Sequence, residues 1–513
     1  MHACLNVDEI VRLIACELGK GTAVALACCR KSFEDPVLDA LWVKQNRLLP
    51  LLKSFPGDVW NDEKCTVSTP TTYFSSLLNG LTRKTFKRLP TATEWGRFRK
   101  YTRRMRWLDE YHTQRFPSLE TLSSLQLCII NEPLLPNLKS LCLWGVHGWF
   151  IPFIPLFLSP RTTSIDLRFL PKPPKATVAS MLTTFPKLCP NLRSISLISL
   201  PRDSIITSAV SGMVLATNRN ILQEFLVDSS LTEEAGGVVY KLPNLCNLSV
   251  VIERGTSLPP VSLPDLTGLE ITCDNEGDWP QLFHGATLGK LKSVMFLPRS
   301  KQIGNFLETF EKAALSSSVQ NTLSEFRLLS PSSWNPNYSS LLPFTQLVDL
   351  IIGFPCNNGC SSRVDDDVVI SLSWTMPRLQ VLQLGDEPCR EFIIGVTAKG
   401  LMALALHCPN LQLLRIHFQV ASLIAPPASP GITPDAEPVG LCTDCALKVL
   451  EVGIIPAPEE SALMVTLALL RIFPRIETID SYDEGWGKVE DAIRLSKRVI
   501  DCSSKQLSHH TLK

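Results

Sequence analysis

Three groups of residues in this chain are of the types that do chemistry. Cys442-x-x-Cys445 has the spacing of half a zinc site. A closed site needs a second ligand pair, and none lies close in sequence. Asp365-Asp366-Asp367 has the charge to hold Mg²⁺ or Ca²⁺. Consecutive carboxylates on a regular element point in different directions, and no ligand-loop pattern surrounds these. Asp365 is therefore read as the cap of a helix through Val368 and Val369. The third group is the basic run Arg83, Lys84, Lys87, Arg88, Arg97, Arg99, Lys100, Arg103, Arg104 and Arg106, which has the composition of a nucleic-acid patch. Trp95, Phe98, Thr102, Met105 and Leu108 interleave it at helical spacing. We read one helix with a packing face, its basic residues forming the solvated side.

Nothing else in the sequence assembles a reaction centre. The 17 Cys are odd in number and irregularly spaced, with Cys142, Cys246 and Cys408 at apolar positions. That is the pattern of free thiols in a reducing compartment. His147, His284, His407 and His417 are scattered, and His509-His510 lie in a polar tail. There is no Gly-rich phosphate loop, no nucleophile elbow and no paired-His metal motif. The chain is read as one that binds and does not catalyse, without metal or cofactor. An enzyme using one of the thiols is the remoter alternative. Fifty basic and 49 acidic side chains give a formal charge of +1, so no global pull toward nucleic acid or membrane is expected. No run of about 18 apolar residues occurs, and Asp8 and Glu9 interrupt the stretch a signal peptide would need. Cytoplasm or nucleus is the expected location.

A short repeat must position whatever these residues do. An apolar residue, two variable residues, an apolar residue, one variable residue and an apolar residue recur along the chain. Clear copies begin at Leu138, Leu192, Leu245, Leu266, Leu379, Leu411 and Leu447. Looser ones begin at Leu122, Thr162, Leu222, Leu291, Leu323, Leu347 and Ile476. Pro stands two residues ahead of many, as at Pro136, Pro190, Pro243, Pro264, Pro377 and Pro409. The last three positions alternate apolar, polar, apolar, which is a strand with one buried face. One such strand cannot bury that face alone, but a stack can. The fold class expected is α/β: a leucine-rich-repeat solenoid with a curved parallel sheet and helices outside it. It should occupy residues 116–485, with loop inserts near 353–367 and 425–440 and a C-terminal helix and polar tail over 486–513. Residues 51–115 should hold a linker, loop-like from Asn61 to Thr72, and the basic capping helix.

Residues 1–50 differ. Ile10, Leu13, Ile14 and Leu18 form a helical stripe that Asp8 can cap. After a break at Lys20-Gly21-Thr22, with Thr22 as the next cap, Leu26, Cys29, Arg30 and Phe33 follow on a second helix. Asp35-Pro36 starts a third, with Pro at its first position and Leu38, Leu41 and Trp42 along it. The strings Val7-Asp8-Glu9-Ile10-Val11-Arg12-Leu13-Ile14, Leu26-x-x-Cys29-Arg30-x-x-Phe33 and Pro36-Val37-Leu38-Asp39-Ala40-Leu41-Trp42 resemble an F-box. That motif opens Leu-Pro-x-Glu, centres on Cys-(Arg/Lys)-x-(aromatic) and ends Leu-Trp; Asp8 stands where the family has Pro. The whole chain resembles the F-box/leucine-rich-repeat proteins of mushroom-forming fungi. The resemblance implies a substrate-recognition subunit of a cullin–RING ubiquitin ligase. Its helical module would dock on a Skp-type adaptor, and through it on a cullin, while its repeats hold a protein substrate. It implies Ile10, Leu13, Ile14, Leu26, Cys29, Phe33, Leu38 and Trp42 as the module's core and adaptor surface. The alternative is a leucine-rich-repeat scaffold that joins no ligase.

The repeat also says where binding occurs. The residue between the last two apolar positions points away from the core. Along the array these are Gln126, Cys142, Asp166, Ser196, Leu226, Ser249, Glu270, Met295, Arg327, Ile351, Gln383, Arg415, Glu451 and Asp480. The signs are mixed, unlike the basic stripe of a nucleic-acid groove. A protein partner fits better, with Leu226 and Met295 as candidate substrate-binding residues.

Overall fold

The computed structural model describes residues 7–64, 82–111, 118–129, 132–255, 261–274, 279–283, 286, 288–300, 304–331, 336–354, 364–385, 396–424, 445–453, 461–481 and 484–510. Two compact units divide the chain, Met1–Asn247 and Leu248–Lys513.

The first unit opens with three helices, α1 (Asp8–Glu17), α2 (Lys20–Cys29) and α3 (Lys31–Val43). Their core is Val11, Ala15, Ala23, Phe33 and Val37, with Leu18, Leu26 and Leu41 packed against it. The expected stripe on α1 is thus rotated. Val11 and Ala15, with Leu18 kept from the expected stripe, are spaced i, i+4, i+7 just as well. Leu13 is left 68% exposed, and Ile14 is exposed beside it. Val7, not Asp8, takes the cap position, with no side-chain cap bond, and Asp8 and Glu9 supply charge to the first turn instead. Gly19 precedes α2, so Thr22 is helical rather than a cap. Phe33 belongs to α3, which starts at Lys31, and Pro36 lies inside that helix rather than at its start. Phe33 and Val37 share the buried face and hold the helix together across the proline.

The linker holds more structure than expected. Trp60–Lys64 pairs antiparallel with Thr82–Phe86, Trp60 opposite Phe86, so the expected loop is strand over residues 61–64, and its remainder, 65–72, lies outside the described residues. Phe55, Trp60, Phe86, Trp95 and Phe98 form one aromatic cluster with centroids 4.7 to 6.1 Å apart. The basic helix runs Ala92–Thr102 and starts on a capping box: Glu94 N donates to Thr91 Oγ1, and Thr91 N donates to the Glu94 carboxylate. It stops before Leu108, because Trp107–Glu110 is already a strand. The converse error occurs at Leu122. Leu119–Cys128 is a helix capped by Ser118, with Leu122 and Leu125 buried at i, i+3. The spacing apolar-x-x-apolar fits either element over so short a run.

A parallel ladder then joins Lys44–Gln45, Trp107–Glu110, Ser140–Val146, Ser164–Phe169, Ser194–Ile198 and Glu224–Val227. Its register stacks Leu108, Leu141, Ile165, Ile195 and Phe225 in one buried row. Asparagines after the repeat prolines staple successive units. Asn137, Asn191 and Asn244 each donate from Nδ2 to a carbonyl of the preceding unit, on Arg103, Pro160 and Asn220. The second unit repeats the plan with strands Gly268–Cys273, Ser293–Pro298, Glu325–Leu329, Asp349–Gly353, Val381–Leu384, Leu413–Ile416, Val449–Gly453 and Thr478–Ser481, all parallel. Leu269, Val294, Phe326, Leu350, Leu382, Leu414, Leu450 and Ile479 form its buried row. Strand Asn247–Ile252 falls at the division between the units. Trp486–His510 is helical, its Trp486, Val489 and Ile493 buried. Residues 355–363 and 425–444, which carry most of the two expected inserts, lie outside the described residues. No helix among the described residues is long and apolar enough to cross a membrane.

Candidate binding surfaces

The chemistry-bearing residues are mostly employed in holding the repeats. Asp365 accepts from Val368 N at 3.0 Å, as the sequence predicted. Asp366 caps the next helix instead of its own. Its carboxylate accepts from Thr397 N, Thr397 Oγ1 and Gly400 N at 2.8, 2.7 and 3.1 Å. Burial pushes the Cys189 thiol up to about 11 and Cys408 up to about 12. Burial, then the carboxylate of Asp166, pushes Cys142 up to about 12. Each shift makes the thiol a poorer nucleophile, the opposite of what an activated cysteine needs. Cys445 is buried with its Sγ 3.9 Å from the Cys408 carbonyl, and Cys442 lies outside the described residues. No group of three potential metal ligands occurs among the described residues.

The basic segment is not simply solvated. Arg88 bridges Asp58 and Glu94, and the Arg88 guanidinium, with the Thr91 N–H, lowers the Glu94 carboxyl to about 2. Lys100 pairs with Glu34 at 2.7 Å and Asp35 at 3.7 Å. Arg104 reaches Asp35 and, through Nε, Asp39 at 2.9 Å. Arg12 meets the same Asp39 at 3.4 Å. Lys100 and Arg104 therefore clamp α3, whose acidic face was not matched to them from the sequence. The Trp42 ring lies 4.7 Å from Tyr101 on the basic helix.

This clamp sorts the eight module residues. Phe33 is core, Leu26 lines it, and Trp42 faces the basic helix. Ile10 and Leu38 are half-buried, while Leu13, Ile14 and Cys29 face outward. Val7 and Val24 are exposed too and were missed, since each lies off the expected stripes.

In the first unit the open face of the ladder carries the row Asp109, Cys142, Asp166, Ser196 and Leu226. Gln126, on a helix, is not part of it. The second unit carries Glu270, Met295, Arg327, Ile351, Gln383, Arg415, Glu451 and Asp480. Leu226 and Met295 are half-buried, each flanked along its strand by buried core residues: Phe225 and Val227, and Val294 and Phe296. Charges here are largely spent on one another. Arg327 lies 3.7 Å from Glu325 and 3.5 Å from Asp349, and Arg415 lies 3.5 Å from Glu451. Burial, then Glu325, raises the Asp349 carboxyl against the pull of Arg327. Placement on the open face predicts that Leu226→Asp or Met295→Asp lowers unfolding free energy by about 1 kcal/mol or less. Val227→Asp, one residue away, should cost several times that as an unpaired buried charge. Denaturant titration of the three variants checks this, and a reversed order, with Leu226→Asp costing more than Val227→Asp, would mean the register is off by one.

Sequence reasoning missed Asp109, Tyr111, Trp144 and Arg168 on the first unit's open face. Trp107–Glu110 was read as helix, and only one outward position per strand was counted. The alternation itself would have found Trp144 and Arg168, two residues beyond Cys142 and Asp166.

No family model matches the chain, and no curated protein matches it. Among solved structures it is similar to an internalin from Listeria monocytogenes, with 11% identity over 77% of this chain and 80% of that one, at a TM-score of 0.28. It is also similar to a Bacteroides fragilis protein, with 13% identity over 50% and 69% of the two chains, again at 0.28. A TM-score that low carries no argument, so the repeat assignment rests on the parallel ladders and their buried rows.

Proposed function

We propose that this chain works by binding, as a protein-interaction scaffold whose two open sheet faces take protein partners. The observation that carries this reading is the mixed row on each ladder, half-buried apolar residues among charges that are largely paired with one another. Such a surface offers apolar contact without the long basic stripe nucleic acid requires. It belongs with a location in cytoplasm or nucleus and with no cofactor.

We further propose that the scaffold serves as the substrate-recognition subunit of an F-box-type cullin–RING ubiquitin ligase, α1–α3 docking on a Skp-type adaptor. Two features support this step. The module has its own core yet leaves Leu13, Ile14 and Val24 exposed, and large apolar side chains left to water on so small a module suit a covering partner. The ion pairs from Lys100 and Arg104 to α3 tie the module to the basic helix that leads into the ladder, as a receptor that must present its substrate requires. The intact chain should co-purify with a Skp-type adaptor. Leu13→Asp with Ile14→Asp should abolish capture while shifting thermal unfolding by no more than a few degrees, since both side chains are exposed. Failure of the intact chain to bind, where another F-box protein does, would leave the scaffold without the ligase role; Asp8 in place of the family's Pro favours that outcome.

A further inference from the structure

We propose that Arg168, stacked on Trp144, is the anchor by which the first unit's open face takes a carboxylate side chain of a protein partner. This rests on the reading that the open faces bind protein, and it names the residue and the chemistry.

Trp144 and Arg168 are register partners on adjacent parallel strands. The guanidinium carbon sits 3.8 Å from the indole centroid, and Tyr111 closes on the same indole edge-on at 4.8 Å and 88°. Asp166, in the adjoining position of the same face, fixes the arrangement from the side. Its Oδ2 accepts from Trp144 Nε1 at 3.2 Å and from Cys142 Sγ at 3.4 Å, and its Oδ1 accepts from Ser196 Oγ at 2.8 Å. Arg168 Nε lies 3.9 Å from that Oδ1, a distance too long for a hydrogen bond. Asp166 is therefore occupied by three donors and acts as a positioning residue. The outer edge of the guanidinium has no acidic partner among the described residues, and the side chain is 43% exposed.

A planar guanidinium held flat on an indole has already lost most of its rotamer freedom. It presents its fork in the geometry a carboxylate accepts bidentately. Exposed Tyr111, packed on the same indole, offers aromatic surface to an apolar residue beside that carboxylate. Arg, Trp and Tyr together are the residue types that dominate interface hot spots. A cationic partner is disfavoured. Arg168 covers the indole face, and Lys44 already neutralises Asp109 at 2.9 Å. A phosphate backbone is disfavoured too: its successive charges would run over Asp109, Asp166 and Glu224 on the same face, whereas one carboxylate need meet only Arg168.

The test uses the full chain and three arrays of terminally blocked dodecapeptides, identical in design except for a central Glu-Phe, Gln-Phe or Lys-Phe pair. Glu-Phe peptides should be retained best. Arg168→Gln should weaken them about tenfold or more, and Arg168→Lys should restore only part, because it keeps the charge but not the fork. Thermal unfolding should barely move in either variant. Equal retention of Gln-Phe or Lys-Phe peptides, or indifference of Glu-Phe peptides to Arg168→Gln, overturns the proposal. If Glu-Phe binding survives in Arg168→Gln but is lost in Met295→Asp, the anchor is refuted while the scaffold reading stands. Retention from no array overturns both.

Discussion

Replacing Phe310 by Ala should remove about 3–5 kcal/mol from the second unit, the largest loss expected from any single truncation considered for this chain. Phe310 lies on helix Phe306–Ser316 and is fully buried. Its ring lies 4.8 Å from Phe326, 5.2 Å from Phe344, 5.5 Å from Phe296, 6.0 Å from Phe283 and 6.4 Å from Trp279. Phe296 and Phe326 belong to consecutive strands, Ser293–Pro298 and Glu325–Leu329. The ring is thus the joint through which successive repeats share one core. A repeat array is held by such nearest-neighbour interfaces, so the cavity should weaken cooperativity as well as midpoint. Guanidinium titration should show an earlier and broader transition. Trp374→Ala, which removes a larger but 65% exposed ring, should shift the midpoint little. Comparable losses in the two variants would show that the aromatic cluster is not what holds these repeats.

Acidification should weaken the same unit through His417. Its ring packs beside Gly385, where an added Cβ would come 3.5 Å from Cδ2. Burial, and next Arg415, hold its pKa down to about 4. The unfolded chain takes up the proton near the ordinary imidazole value of about 6.5. Below that value the unfolded state binds more protons than the folded one, so stability is complete above about pH 6.5 and is lost as pH falls toward about 4. The loss should be on the order of 2–3 kcal/mol. Denaturant titrations at about pH 7.5, 5.5 and 4 should show this slope in the parent chain and a flatter one in His417→Gln. The same slope in both would place the pH dependence elsewhere.

Much of this architecture was legible before any coordinates. Thirteen of the fourteen repeat units expected from the apolar spacing contain or lead into a strand. They were legible because one buried face per strand demands alternation, and alternation is written directly in residue order. Asp365 as a cap was legible for the same local reason. Leu122 and Leu108 were misread because apolar-x-x-apolar satisfies a helix and a strand equally, and only packing decides. Residues 119–128 are helical, capped by Ser118, and residues 107–110 are drawn into the ladder between Lys44–Gln45 and Ser140–Val146.

The sequence by itself determined the α/β repeat class, the helical start, the scarcity of reaction chemistry and the outward register that places Leu226 and Met295. Those follow from periodicity and composition, which are local. Tertiary structure alone decided which apolar face of α1 is core, that the basic segment clamps α3 through Asp35 and Asp39, and that Asp366 serves the following helix. It alone set Trp144 under Arg168, with Asp166 accepting from the indole N–H. Each of these is a contact between residues more than twenty positions apart or a choice between two faces of equal periodicity. No local pattern encodes either; the free energy of packing selects them.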